Sequence, residues 1–300
     1  MIFEITHVTR YDYDEPVVVS HGDVRQLPGD RDGQRCLRRS VRIDPGADHV
    51  RERRDWFGND ALVYAVREPH TRLEVISRSV VDTTDRPTEI GAGGEQPWET
   101  HTIAALASPS VALVEAALDS PLVARSEQLA AYAAQSFTPA RPLAEALSEC
   151  CTRIHDDFAF DPEATDVETP LVEVMRIRRG VCQDFAHVLL GCLRSVGLAG
   201  RYVSGYLETR PPPGRPRLTG VDRTHAWVAV GLADGRWIGI DPTNDQMAGS
   251  AYVTTAHGRD YADVPPLKGV VYTEATESVL TVTVDVVPTG AATAEDPALP

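Results

Sequence analysis

Residues 179–197 read RGVCQDFAHVLLGCLRSVG. Counting from Cys182, apolar side chains return at Phe185, Ala186, Leu189, Leu190 and Leu193, offsets of i+3, i+4, i+7, i+8 and i+11 that mark one buried face of a helix. Gly180 frees the backbone ahead of the helix, Asp184 puts a carboxylate in the first turn where the dipole favours it, and Gly197 suits a C′ stop. The face therefore opens on a thiol at a helix N-terminus. Unpaired N–H groups and the dipole favour thiolate over thiol at such positions. Free cysteine is also one of the most often buried side chains. Cys182 alone does not separate a nucleophile from a packing residue, and the downstream sequence must do so.

Residues 224–244, THAWVAVGLADGRWIGIDPTN, supply two strands. In the first, Ala226, Val228, Val230 and Leu232 share an apolar face, and His225, Trp227 and Ala229 share the other. In the second, Trp237, Gly239 and Asp241 lie on one face. Loop length decides whether His225 and Asp241 meet. A two-residue loop at Asp234-Gly235 sends their side chains to opposite faces. A three-residue loop, Ala233-Asp234-Gly235, with glycine in the left-handed conformation, pairs Leu232 with Arg236 and hence Trp227 with Asp241. Asp241 then lies on the His225 face one pair away, a diagonal within reach. The odd loop is therefore predicted. Each residue has a plain alternative, a half-buried strand histidine for His225 and a turn-starting residue before Pro242 for Asp241. Together, thiol, imidazole and carboxylate form a nucleophilic set.

Composition bounds the rest. A 300-residue chain with 42% hydrophobic and 24% charged residues has room for two globular domains. A formal net charge of -15 argues against a nucleic-acid surface and against an anionic membrane surface, leaving small molecules and peptides as expected partners. The opening MIFEITHVTRYDYD has no basic and then apolar targeting pattern, and no run of about 18 apolar residues occurs, so a cytoplasmic protein is expected. The 5 cysteines, at 36, 150, 151, 182 and 192, show neither C-x-x-C nor paired metal spacing. No disulfide framework, structural metal or cofactor is expected.

From Phe3 to about Asp82 the chain alternates in short bursts broken at Glu15-Pro16, Pro28-Gly29-Asp30, Asp44-Pro45-Gly46 and Phe57-Gly58-Asn59-Asp60, which reads as an antiparallel β-sandwich or barrel. Arg51, Arg53 and Arg54 read as a solvated face, Trp56-Phe57 as a core plug or hairpin tip, and His7 and His21 as structural or surface residues. Residues 1–85 are assigned to this domain, 86–98 to a Gly- and Pro-rich linker, 99–288 to a second domain and 289–300 to a disordered tail. In the second domain, helices are predicted over His101–Leu118, Arg125–Gln135, Pro142–His155 and Leu171–Arg178, with Cys150 and Cys151 as packing residues. The acidic stretch Asp156–Glu168 lacks the EF-hand ligand order and reads as a solvated loop. Tyr202–Leu207 reads as a strand and Arg210–Pro216 as loop. The final alternating segments, Gly269–Tyr272 and Ser278–Val287, are expected to complete the second domain's sheet.

GVCQDFAHVLLGCLRSVGL, RYVSGYL, THAWVAV and WIGIDPTND resemble the core of the bacterial transglutaminase-like superfamily. Residues 1 to about 82 resemble its N-terminal domain, and GRDYADVPPLKGVV resembles the segment after the core. The resemblance implies an α+β chain with a papain-like cysteine-protease fold. It also implies Cys182 as nucleophile, His225 as general acid and base, and Asp241 as its orienting partner. The implied chemistry is acyl transfer on an amide through an acyl-enzyme, as a peptidase or amidohydrolase with water and as a transglutaminase with an amine. A non-catalytic peptide-binding module is the reading from another class. Animal transglutaminases resemble G-Q-C-W at the nucleophile, whereas Val181 and Gln183 flank Cys182 here. Gln183, Trp227, Tyr202 and Tyr206 are candidate oxyanion or cleft residues, and Gln183 can equally cap the helix.

Overall fold

The computed structural model describes residues 1–31, 33–107, 110–208 and 224–289. Arg210–Pro216, read as loop, and the tail from Gly290 lie outside the described residues. Strand β1 (Ile2–Val24) runs for 23 residues, followed by β2 (Arg35–Asp44), β3 (His49–Arg54), β4 (Asp60–Val66) and β5 (His70–Asp82). The Glu15-Pro16 turn expected from the sequence is instead a bend inside β1. Proline has no N–H for a ladder, so strands tolerate it at irregularities, and the β1–β5 register jumps there from Asp12↔Arg72 to Val17↔His70. Beyond the bend β1 changes partner and pairs with β4. Side chains from both halves of the sheet, among them Val24, Leu62, Tyr64, Leu73 and Val75, meet in one core, which makes the folded-over sheet sandwich-like. Strand β3 is exposed throughout, as its arginines suggest. Trp56 sits at the β3–β4 tip, 76% exposed, and its indole N–H donates to Glu115 across the domain boundary.

The second region begins with a short 3-10 turn at Gly91–Glu95. Its elements are α1 (Trp98–Ala107), α2 (Val111–Ala116), α3 (Glu127–Ala133), α4 (Leu143–Asp157), β6 (Ala159–Phe160), α5 (Leu171–Ile177), β7 (Arg179–Gly180), α6 (Cys182–Ser195), β8 (Gly200–Leu207), β9 (Thr224–Gly231), β10 (Trp237–Asp241), β11 (Gln246–Met247) and β12 (Tyr252–Gly258). The single helix expected over His101–Leu118 is thus two. Strands β11-β10-β9-β8-β12 form an antiparallel sheet. Ala226, Val228 and Val230 of β9 join Phe185, Leu189, Leu190 and Leu193 of α6 in the main core.

Helix α6 is buried on more than the one face its periodicity marks, because α3, α4 and α5 cover its other sides. Gly191 permits this, since a Cβ there would come within 2.7 Å of Leu129 Cδ1. Four polar side chains are buried in this helix, Gln183, Asp184, His187 and Arg194. Arg194 donates to the Ala116, Val123, Gly200 and Arg259 carbonyls and to Ser120 Oγ, tying four segments to the helix. His187 accepts from the Tyr261 N–H, and burial lowers its pKa to about 4, so the ring is neutral.

Strands β13 (Leu267–Thr273) and β14 (Ser278–Thr289) overturn the expectation that they complete the second sheet. Both pair antiparallel with β1, from Val24↔Leu267 to Val17↔Thr273 and from Tyr13↔Ser278 to Ile2↔Thr289. Alternation predicts a strand but not its partner. The 23-residue β1 presents a second long edge that β4 and β5 leave open, and an unpaired edge is costly. Phe3, Ile5, Val81, Val284 and Val286 then pack on Tyr206 and Val253 of the second sheet, which is covered on both faces. No described helix is long and apolar enough to cross a membrane.

Candidate active site

The chain enters α6 through a tight approach at Gly180. A Cβ there would lie 2.3 Å from Asp184 Oδ2. The Asp184 carboxylate turns back to accept from the Val181 N–H at 2.8 Å and from Thr165 Oγ1 at 2.7 Å, closing the first turn. Burial raises its pKa more than these bonds lower it. Cys182 is the first helical residue and is partly exposed. Its backbone N–H has no acceptor within the helix and is available to an incoming oxygen.

The β9–β10 loop has the odd length. Leu232 N–H donates to the Arg236 carbonyl at 2.9 Å, Gly235 has φ +85°, and the ladder runs from Gly231↔Trp237 to Val228↔Ile240. The next pair in that register is Trp227 with Asp241. His225 and Asp241 consequently meet, with His225 Nε2 2.7 Å from Asp241 Oδ2. The Cys182 sulfur is close enough to the imidazole to act on its titration. With Nε2 committed to the carboxylate, Nδ1 is the nitrogen left for the thiol. Burial alone would lower the His225 pKa, but the bonds and charges of Asp241 and Cys182 outweigh it and raise it to about 10.

Asp241 is wholly buried, with every lone pair engaged. Oδ2 also accepts from Tyr252 Oη and Asn244 Nδ2, both at 2.7 Å, while Oδ1 accepts from the N–H groups of Thr243 at 2.9 Å and Asn244 at 3.3 Å. Burial pushes its pKa up, and the His225 bond and charge with the Asn244 and Tyr252 donors carry it below the ordinary carboxylate range. The two sequence readings of Asp241 hold together: one oxygen starts the turn and the other orients the histidine.

The remaining candidates divide. Trp227 stacks beside His225, centroids 6.1 Å apart and planes at 25°, and meets Tyr252 edge-on at 5.2 Å. Gly205 and Gly239 let the indole lie along the sheet, since a Cβ on Gly205 would sit 2.6 Å from Trp227 Cη2. Gln183 sends its amide to the Val167 carbonyl at 3.4 Å, which commits it to loop packing. Tyr202 is buried against His187 and Tyr261, close enough to Cys182 for the sulfur to add to the burial that drives its phenol pKa up. Tyr206 points away, with its hydroxyl 3.0 Å from His7 Nδ1 in the first domain. Its place on a strand did not say which neighbour would cover it. Tyr252 and Asn244 were missed. Asn244 had a signal, three residues after Asp241 in a turn; Tyr252 had none, because β12 approaches only through tertiary packing.

A cysteine at a helix N-terminus, a histidine on a strand and a carboxylate on the next strand define a papain-like arrangement. Residues 3–82 match the bacterial transglutaminase-like N-terminal region, and residues 130–242 match the transglutaminase-like superfamily. The chain is 42% identical over 292 residues to an uncharacterized protein of Mycobacterium tuberculosis, covering 95% of this chain and 92% of that one. It is 26% identical over 217 residues to a protein-glutamine gamma-glutamyltransferase of Pseudomonas aeruginosa, covering 63% of this chain and 32% of that protein. Among solved structures, one from Cytophaga hutchinsonii called a "Putative Cysteine Protease" superposes with a TM-score of 0.71 at 17% identity, over 97% of this chain and 92% of its own, which shows the shared fold. The chain belongs to the transglutaminase-like superfamily and carries the N-terminal region of its bacterial members.

Proposed function

We propose that this protein catalyses thiol-dependent acyl transfer on amide bonds of a peptide or protein, with water as the ordinary acceptor. The observation that carries this is the Cys182–His225–Asp241 set, in which an imidazole bonded to a buried carboxylate lies close enough to a thiol at a helix N-terminus for the sulfur to act on its titration. The histidine pKa of about 10 keeps the ring protonated at neutral pH, and an imidazolium beside sulfur stabilises negative charge there. Sulfur attacks the amide carbon, the C=O electron pair moves to oxygen, and the Cys182 N–H donates to that oxygen. The tetrahedral species collapses as the C–N bond breaks and His225 gives its proton to the departing amine, leaving a thioester on Cys182. Water then attacks the thioester, His225 takes a proton from it, and the carboxylic acid departs as sulfur is regenerated. An amine in place of water gives transamidation. The likeness to the Pseudomonas protein-glutamine gamma-glutamyltransferase supports this second reading.

The test is alkylation by iodoacetamide from pH 4 to 9, followed by intact mass. One thiol should react fast at pH 6, be absent in Cys182→Ala and slow in His225→Ala. Peptide, amide and amine-acceptor substrates then separate hydrolysis from transamidation. If Cys182 reacts no faster than the other four thiols, the catalytic reading is wrong.

A further inference from the structure

The face of the second sheet turned away from α6 carries a cavity of about 270 Å³. Three arginines line it, from three parts of the chain: Arg31 after β1, Arg86 from the connecting segment and Arg201 from β8. Its apolar walls include Val203, Ala229 and Trp227, the same indole that stacks on His225.

These cations have neutral partners. Arg31 donates to His257 Nδ1 at 2.7 Å, Asn59 Oδ1 at 2.9 Å and the Thr255 carbonyl at 3.2 Å. Arg86 donates to Gln34 Oε1 at 3.3 Å and Thr254 Oγ1 at 2.8 Å. The Arg201 guanidinium lies 3.6 Å over the Trp237 ring. Glu89 lines the cavity as well, but among the described residues no carboxylate is within ion-pair distance of any of the three; Asp60 and Asp55 act on Arg31 and Glu115 on Arg201 only at longer range. His257 does not offset them, since burial and the charges of Arg31 and Arg201 hold its pKa down to about 2 and the ring is neutral. One donor is also left over. Arg31 Nε–H is buried without a partner. The Trp227 indole nitrogen lies over Gly239 in the cavity wall.

Gathered unpaired cations and an orphaned donor are costly in a partly closed space, and an oxyanion relieves both at once. Arginine suits carboxylate and phosphate oxygens in particular. The volume suits a small molecule rather than a macromolecular surface. We propose that the cavity binds a small anionic ligand, with a carboxylate or phosphate head held by Arg31, Arg86 and Arg201 and an apolar body against Trp227. Such a ligand bridges the two domains and abuts the indole that flanks the histidine. The site stands independently of the acyl-transfer reading.

The experiment titrates the full chain with inorganic phosphate and, separately, with hexanoate against chloride at constant ionic strength, reading tryptophan fluorescence and thermal midpoint. At least one probe should saturate with a rising midpoint. Phosphate alone responding identifies a phosphate head, and hexanoate alone a carboxylate with an apolar body. Arg201→Met and Arg86→Met should each weaken binding at least tenfold, whereas Arg42→Met, whose side chain is 75% exposed, and Cys182→Ala should bind as wild type. Without anion, Arg201→Met should melt no lower than wild type, because a repelled cation has been removed. Neither probe saturating, or both cavity variants binding like wild type, overturns the proposal. If one cavity variant fails to fold, the other and the wild-type titration still decide.

Discussion

At the His225 end of β9 each charge meets a partner before any ligand arrives, whereas a few residues along the same sheet three arginines face a cavity with no ion pair to a carboxylate among the described residues, although Glu89 also lines it. The first arrangement is preorganised: Asp241, itself held by Asn244 and Tyr252, fixes the orientation of the His225 ring. The second is unfinished. On the two proposals, the contrast separates a place that acts on a bound group from one that a bound group completes.

Removing the nucleophile gives the largest effect on this contrast. Cys182→Ala should lower acyl-transfer activity by about ten-thousand-fold or more while leaving anion binding in the cavity unchanged, a pairing that activity and fluorescence titration check together. Asp241→Asn comes next. It keeps the shape but replaces an oxyanion that accepts from His225, Tyr252 and Asn244, and a loss of about 10³- to 10⁴-fold in kcat is expected. A kcat within tenfold of wild type would show that the preorganised network is dispensable.

Smaller changes test its outer layer. Tyr252→Phe removes one of three side-chain donors to Asp241 Oδ2, which should lower stability by about 1 kcal/mol and slow the reaction by about tenfold. Denaturant unfolding and kcat measured on the same preparation distinguish a positioning role, in which Phe slows turnover with KM unchanged, from simple packing.

pH sharpens the comparison further. His225 has a folded pKa near 10, above its unfolded value of 6.5, so its stabilisation is complete below about pH 6.5 and is lost as pH rises through 10. His7 behaves oppositely. Burial lowers its pKa to about 4, so the stability of the domain contact with Tyr206 is present above 6.5 and is lost as pH falls towards 4. The thermal midpoint should therefore peak at about pH 6.5, with a slope of at most about 1.4 kcal/mol per pH unit per group on either side. His7→Gln should make the acid limb shallower, the rest of it coming from the buried His187 and His257, and Asp241→Asn should flatten the alkaline one.

Much of the candidate site was legible because it rests on short-range periodicities. The 3.6-residue return of Phe185, Ala186, Leu189, Leu190 and Leu193 placed Cys182 at a helix start. The parity of a three-residue loop put Asp241 on the His225 face. Local rules failed where the partner is distant. Pro16 signalled a break but not a bend in a continuous strand, and the last two strands signalled alternation but not an edge on β1. Tyr206, a candidate cleft residue, is instead covered by His7 and Gln26.

The amino-acid sequence by itself determined the elements, their buried faces, the position of the thiol and the register that unites histidine and aspartate, since these follow from spacings of a few residues along one segment. Tertiary structure alone decided that β13 and β14 pair with the first sheet, that Tyr252 joins the Asp241 network, and that Arg31, Arg86 and Arg201 line one cavity. Long-range pairing depends on which edge or face remains open after the other elements have packed, and no local pattern carries that information.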